Sequence, residues 1–264
     1  MHFSTYHQIP LSLDFMIFLA VLLAALELGY RIGIRRQEAW TDDEGTGGKI
    51  SLTSMFAVLG LMLAFTFGAA ISRHEARKKA VIAEANALGT AFLRASLVDE
   101  PGRCELRRAL LDYARTRRSD RNQNMTVERL ESLVQQSGDA KAKLWPATER
   151  IVKGSTPSPI EALLAGAVTD VMDCDTVRVA AILDSLPPMV LTLLLLIAAA
   201  TVSVAGFNAG LSGRISRWRT TLLILVLAAI MLVILDFDRS VAGFIRVRND
   251  SIEAVIDEME QGLA

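Results

Sequence analysis

The chain has 264 residues, 52% hydrophobic and 22% charged, with 28 Lys/Arg against 29 Asp/Glu and a net charge of −1. That balance leaves no basic surplus for a nucleic-acid partner. An apolar excess beside so many charges describes a membrane protein with a sizeable soluble part.

Four apolar stretches organise the sequence: Leu11 to Tyr30, Ile50 to Ile71, Leu186 to Phe207 and Thr220 to Leu235. Each approaches the ~20 residues a helix needs to cross a ~30 Å hydrocarbon core. The first residues lack a basic n-region, and no A-x-A-like site precedes the Arg31/Arg35/Arg36 cluster. The first stretch is therefore expected to stay attached as a helix. It carries Asp14 near its start and Glu27 near its end, both within reach of an interface. Glu27 stands four residues before Arg31, the better order for a helix-surface pair. Residues 35 to 49, with Asp42, Asp43, Glu44 and three glycines, read as a polar loop.

The second stretch has no charge from Ile50 to Ile71 and no proline after it. It continues into an Ala-, Glu-, Lys- and Arg-rich run of strong helix formers. This predicts one rod from about Leu52 to Val98, roughly 70 Å long, projecting from the membrane into water. Gly60, Ala64 and Gly68 recur every four residues, a row that lets helices approach closely. Phe56, Leu59, Leu63 and Phe67 lie on a neighbouring face. In a ring of subunits such side chains form an apolar constriction; otherwise the stripe faces lipid or another helix. Arg73 and Arg77 stand at the membrane exit, where basic groups would favour anions. Further along, Glu84, Asn86 and Thr90 sit among alanines. They suit hydrogen bonds across a helix interface or, in a ring, an ion-binding site below the pore.

Residues 73 to 185 read as an all-helical soluble domain. Helices are expected over Glu105 to Arg118, from a Thr126 cap to about Gln136, and from the Ser158-Pro159-Ile160-Glu161 capping box toward Asp184. Ser119 to Asn124 is a polar break, and Pro146 interrupts the segment between. From Arg73 to Arg121 there are 12 Lys/Arg against 7 Asp/Glu, net +5; from Asn122 to Leu186 there are 6 against 9, net −3. The two halves either pack by complementary charge or present solvated faces. Cys104 and Cys174 lie in this region, outside any C-x-x-C or Cys/His pattern, and read as thiols unless the region is extracytoplasmic.

Pro187 and Pro188 open the third span. Arg214, Arg217, Trp218 and Arg219 anchor the fourth at an interface. It ends at Asp236, Asp238 and Arg239, whose acids can bind a cation or pair with Arg239 or with the Arg73 to Lys79 cluster. A tail from 239 to 264 follows, amphipathic over Ser251 to Met259. Cations split seven against seven between the two membrane faces. Four of them crowded at Arg73 to Lys79 resist translocation, which favours a cytoplasmic helical domain and cytoplasmic termini.

Two blocks resemble a known family. One runs Leu61-Met-Leu-Ala-Phe-Thr-Phe-Gly68 and Arg73-His-Glu-Ala-Arg-Lys-Lys to Arg94, followed by Arg103-Cys-Glu-Leu-Arg107 to Tyr113. The other is Leu235-Asp-Phe-Asp238-Arg239-Ser-Val-Ala-Gly243-Phe. Both are similar to a bacterial four-span membrane family of unknown function described as bestrophin-like. The family often has proline after the Asp-Arg pair, where this chain has Ser240. Bestrophins themselves are pentameric ion channels whose second helices line a pore narrowed by apolar side chains. The resemblance thus implies a homo-oligomer, a pentamer, passing small ions across the bacterial inner membrane.

The expectation is an all-α integral membrane protein. Residues 1–72 hold spans 1 and 2, 73–185 the helical soluble domain, 186–238 spans 3 and 4, and 239–264 a soluble tail. No G-x-S-x-G, H-E-x-x-H or Walker motif is present, so neither an enzyme nor a cofactor is expected. The alternative to a channel is a non-conducting scaffold or sensor whose helical domain docks a partner.

Overall fold

The computed structural model describes residues 10–37, 42–118, 127–154, 159–213, 217–239 and 243–263. Among them are nine helices and no strand. They are α1 (Leu11–Arg36), α2 (Asp42–Ala95), α3 (Gly102–Thr116), α4 (Val127–Lys141), α5 (Leu144–Gly154), α6 (Pro159–Leu183), α7 (Pro188–Leu211), α8 (Arg217–Asp238) and α9 (Asp250–Leu263). Four are long and apolar enough to cross a membrane: α1, the first part of α2, α7 and α8.

The rod is longer than the sequence suggests. α2 has 54 residues, about 80 Å at 1.5 Å each. The expected loop over 35–49 is in fact helical from Asp42 onward. Its first three residues are acidic, which suits the positive end of a helix dipole, and Asn208 Nδ2 on α7 donates to Gly48 O at 3.2 Å. At the other end the helix stops at Ala95, where Ser96 Oγ donates to Leu93 O at 2.5 Å. The polar break at 119–124, the Thr126 cap, Ser158 and Arg214 lie outside the described residues. Pro146 falls at the third position of α5, in the first turn, where its missing N–H costs nothing. It opens that helix instead of breaking one.

Two apolar cores result. One lies in the membrane part, among Leu22 of α1, Leu59 and Leu63 of α2, Leu194 and Ala198 of α7, and Ile224 and Ile234 of α8. The other lies in the soluble part, among Leu88 and Phe92 of α2, Leu106 and Leu110 of α3, Leu144 of α5, Leu164 and Val171 of α6, and Ile252 and Ile256 of α9. Among the described helices only α2 has residues in both. The amphipathic tail segment is therefore an integral helix of the soluble core, docked on α2 and α3. Cys104 and Cys174 are free thiols.

The tightest crossing is α1 on α7. A Cβ added at Gly29 would strike Ser203 O, at Gly33 Phe207 O, at Gly206 Leu26 O and at Gly210 Tyr30 O. Each helix brings a Gly-x-x-x-Gly pair, so the two backbones touch directly, as small residues allow in lipid. By contrast, among the described residues no other helix comes within 4 Å of the Cβ positions at Gly60 and Gly68.

Replacing Gly206 with Leu should force α1 from α7 and lower stability by at least the ~1–3 kcal/mol typical of overpacking. A Gly60→Leu chain should keep the wild-type value as a monomer. Thermal unfolding in detergent measures both.

Candidate functional site: the second helix and its exit from the membrane

Through the bilayer, α2 has two unlike faces. Leu59 is 1% exposed and Leu63 8%, both inside the chain's own membrane core, with Phe56 and Phe67 packed against it. The Phe67 ring meets Phe237 of α8 edge-on at 5.8 Å. These four side chains, expected to face a pore, pack against other helices of the same chain. The opposite face is uncovered: Leu61 is 56% exposed, Phe65 68% and Val58 52%, and Gly60, Ala64 and Gly68 share that side. Thr66 keeps its hydroxyl satisfied on the helix, donating to Met62 O at 2.8 Å.

Where α2 leaves the membrane, α6 and α8 end beside it. The last carbonyls of a helix have no partner within it. Arg77 supplies them. Its Nε donates to Ala181 O at 3.1 Å, Nη1 to Phe237 O at 3.1 Å, and Nη2 to Asp184 O at 2.7 Å and Asp238 O at 2.8 Å. Arg73 Nε lies 3.3 Å from the Asp184 carboxylate. Both arginines therefore turn into the chain, and the exposed charges that α2 carries at this level are Glu75, Lys78 and Lys79, with exposed Asp184 beside them. His74 stands edge-on to Phe237 at 5.5 Å. Burial, then the nearby Arg77 and Lys78 charges, push its imidazole below the usual value, so it is neutral at pH 7.

The acids closing α8 have structural partners. Asp238 Oδ1 accepts from Leu186 N at 2.8 Å, fixing the turn between α6 and α7. Asp236 accepts from Phe244 N at 2.8 Å and Ile245 N at 3.0 Å. Gly243 makes that wrap possible: its φ of 145° disfavours any side chain, and a Cβ there would strike the Asp236 carboxylate. Arg239 Nη2 meets Asp14 Oδ2 at 2.5 Å, both side chains buried. Asp14 thus reaches across the bundle rather than to an interface, whereas Glu27 pairs with Arg31 on the helix surface at 2.7 Å. Ser240 lies outside the described residues. Among the described residues no cluster of His, Cys, Asp or Glu is arranged to hold a metal ion.

Deeper in the soluble domain, Glu84 is fully buried. Tyr113 Oη donates to its Oε1 at 2.6 Å, Arg178 Nη1 to its Oε2 at 2.5 Å, and Arg117 Nε lies 3.0 Å from Oε1. Arg117 and Lys141 both pair with Asp175. Asn249, just before α9, accepts from Arg178 at 3.4 Å and donates to Arg117 O at 3.3 Å. Three segments therefore meet on the Glu84 carboxylate, and Asp175 and Asn249 tie two more into the same cluster. Burial by itself raises a carboxyl, but the Arg178 and Arg117 guanidiniums, with the hydrogen bonds from Tyr113 and Arg178, outweigh it and hold Glu84 below the usual range. The Tyr113 phenol is pushed up by its burial and by the Glu84 charge. Asn86 and Thr90, in contrast, are exposed on the face that carries Leu61 and Gly68.

Sequence reasoning singled out Glu84 but missed Tyr113, Arg117, Asp175 and Arg178. The last two were visible as charges on the buried α6 row Leu164, Val168, Val171, Asp175, Arg178, at helical spacing.

A bestrophin-like domain matches the chain over residues 16–252. The chain belongs to the bestrophin-like family. Solved structures share the fold of this bestrophin-like chain. A bacterial bestrophin homolog from Klebsiella pneumoniae is 12% identical with a TM-score of 0.61, over 92% of this chain and 96% of that one. A single-substitution form of that homolog gives 12% and 0.62, over 94% and 96%. A further solved membrane protein gives 11% and 0.61, over 96% and 97%. No curated protein matches the chain.

Glu84→Gln should cost this bestrophin-like protein roughly 3–5 kcal/mol, because it takes from the buried Arg178 its carboxylate partner and leaves Arg117 only Asp175. Asn86→Ala should cost within ~0.5 kcal/mol in the monomer. The depressed Glu84 carboxyl stabilises the fold above its unfolded value of 4.5, and this is lost as pH falls below 4.5 toward the lower folded value. The Gln variant should flatten that acid limb of a stability–pH curve.

Proposed function

We propose that the chain is one subunit of a homo-oligomeric channel for small ions, with the uncovered face of α2 lining the conducting path. The observation that carries this is the uncovered half of α2. It runs from Val58 and Leu61 in the membrane, through Gly68 and Ser72, to Asn86, Thr90 and Leu93 beyond it. A helix committed to two cores on one side, and to nothing on the other, has a surface for copies of itself around an axis.

Leu61 and Phe65 replace Leu59 and Leu63 as the side chains that narrow the path. Large apolar groups pointing inward from several copies hold a short dry constriction, which gates by dewetting. Gly60 and Gly68, which no other helix among the described residues approaches within 4 Å, let adjacent copies of α2 come close. In the soluble part Leu93 is 70% exposed, and neighbouring subunits would cover apolar surface of that kind. The helical domain and both termini sit in the cytoplasm, with α1, α2, α7 and α8 in the bacterial inner membrane.

Purified protein in liposomes should pass small ions, and Leu61→Ala or Phe65→Ala should widen the constriction and raise the flux. Leu63→Ala should instead lose ~2–5 kcal/mol of stability as a buried truncation. Folded, oligomeric protein that passes no small ion at all would refute the reading. Cys104 and Cys174, both partly exposed, should resist a membrane-impermeant thiol reagent in intact cells and react in inverted vesicles. Labelling in intact cells would reverse the orientation.

A further inference from the structure

In the soluble domain the open strip of α2 has two unlike edges. Headings around a helix advance by ~100° per residue, 3.6 residues to the turn. By that count Arg77, Glu84 and Arg94 lie to one side of the strip, and all three bond to α6. Arg77 donates to Ala181 O, Glu84 accepts from Arg178, and Arg94 donates to Leu163 O. Ile82, Asn86 and Leu93 share the other edge, within ~40° of one another. All three are exposed.

α6 has an open face of its own. Leu163, Gly166, Asp170, Asp173, Val177 and Ala180 follow at intervals of three and four, and all are exposed. Neither Asp170 nor Asp173 has an ion-pair or hydrogen-bond partner among the described residues.

Depth decides which of these positions can meet. Copies that share a membrane and an orientation are related by rotation about the membrane normal. A residue of one copy therefore meets only residues at its own depth in the next. Two bonds set the depth of α6 against α2, which it passes antiparallel: Arg77 Nε to Ala181 O at 3.1 Å and Arg94 Nη1 to Leu163 O at 3.0 Å. Interpolating between them at 1.5 Å per residue, Ile82 stands within ~2 Å of the depth of Val177, Asn86 of Asp173 and Leu93 of Leu163. Apolar side chains fall level with apolar ones, and the single amide falls level with a carboxylate.

We infer that α6 of one copy seats against the Ile82–Leu93 edge of α2 in the next, with the Asn86 amide donating to the Asp173 carboxylate. The inference rests on the homo-oligomer reading given above. Ile82 packs on Val177, and Leu93 packs on Leu163 beside Gly166, where a Cβ would meet nothing within 4 Å. The hydrogen bond keeps both polar groups satisfied as the seam closes, since either buried alone would carry its full desolvation cost. Each copy offers α2 on one side and α6 on the other, so the contact is head-to-tail and propagates around a ring.

The test is a pair of cysteines in the full chain, in membranes, with Cys104 and Cys174 replaced by serine. A disulfide forms only where the Cα atoms come within ~7 Å. Oxidised Asn86→Cys/Asp173→Cys should give a ladder of covalent multimers on a denaturing gel, collapsing to monomer with reductant. Asn86→Cys/Ala180→Cys uses the same α6 face ~10 Å nearer the membrane, and should stay monomeric. All three sites are exposed, and matching elution in mild detergent checks that each variant folds. An oligomer whose first pair fails to link, links no better than the second, or stops at dimers would overturn this contact and leave assembly standing. A folded chain that elutes as a monomer would overturn the homo-oligomer reading and this inference together.

Discussion

Where a helix ends, its last carbonyls lose their partners, and at the membrane boundary of this chain two helices end side by side against a third. α6 arrives from the soluble domain and α8 from the membrane, and both present orphaned carbonyls to α2. A lysine could answer one or two of them. The fixed fork of a guanidinium answers four at once, and Arg77 does so. Buried positive charge is costly when unpaired, so the same contacts that satisfy the carbonyls also make burial of Arg77 tolerable. Asp238 works in the complementary sense: its backbone oxygen accepts from Arg77 while its carboxylate accepts from Leu186 N. The rest of the architecture depends on this knot, because it holds the end of the membrane core in register with the start of the soluble core.

Register matters since α2 belongs to both cores. A continuous helix cannot rotate in one half without rotating in the other, so the face packed on Leu194 and Ile224 fixes the face packed on α3, α6 and α9. The Glu84 cluster reinforces this from the soluble side. It gathers α2, α3, α4, α6 and the segment before α9 on a few buried charges. Networks of this kind stand when every member is satisfied and fail sharply when one is removed. The α9 helix enters the same arrangement through Asn249 and through Arg115, which lies 2.9 Å from Glu260, so the C-terminal segment is part of the frame that sets the orientation of α2.

Much of this was legible in the sequence. Four apolar spans and a proline-free, alanine-rich continuation of the second dictate the rod, whereas the backbone N–H groups that Asp236 and Asp238 hold come from segments outside α8, which no local pattern points to. What pattern alone leaves open is direction. Leu59, Leu63 and Phe67 recur at helical spacing, and so do Leu61 and Phe65; in an apolar span the period is the same on every side, so hydrophobicity cannot say which face meets the chain's own core. The Gly-x-x-x-Gly pairs show the same ambiguity. The row on α2 was read as the close contact, while the contact inside the chain is Gly29 and Gly33 against Gly206 and Gly210. The loop before α2 was misjudged because its glycines outweighed its acidic start in a local reading. Only the tertiary contact of Gly48 with Asn208 shows what it packs on.

The uncovered face of α2 itself discriminates among the environments it could meet. A face turned to lipid alone would be apolar to Ile71 and then charged, as solvated helix surfaces are. A face turned to bulk water beyond the membrane would be rich in Glu, Lys and Arg, the residues that serve helix propensity and solubility together. The observed row does neither. After one turn with Glu75, Lys78 and Lys79 it returns to Ala83, Asn86 and Thr90, small and neutral, and then to exposed Leu93 and Leu97. Small neutral groups let like surfaces approach without repulsion, and amide and hydroxyl side chains hydrogen-bond to a neighbour or to water equally well. That composition is neither the uniformly apolar surface of a helix set in lipid nor the charged surface of a helix set in bulk water, so the uncovered face of α2 is built for contact.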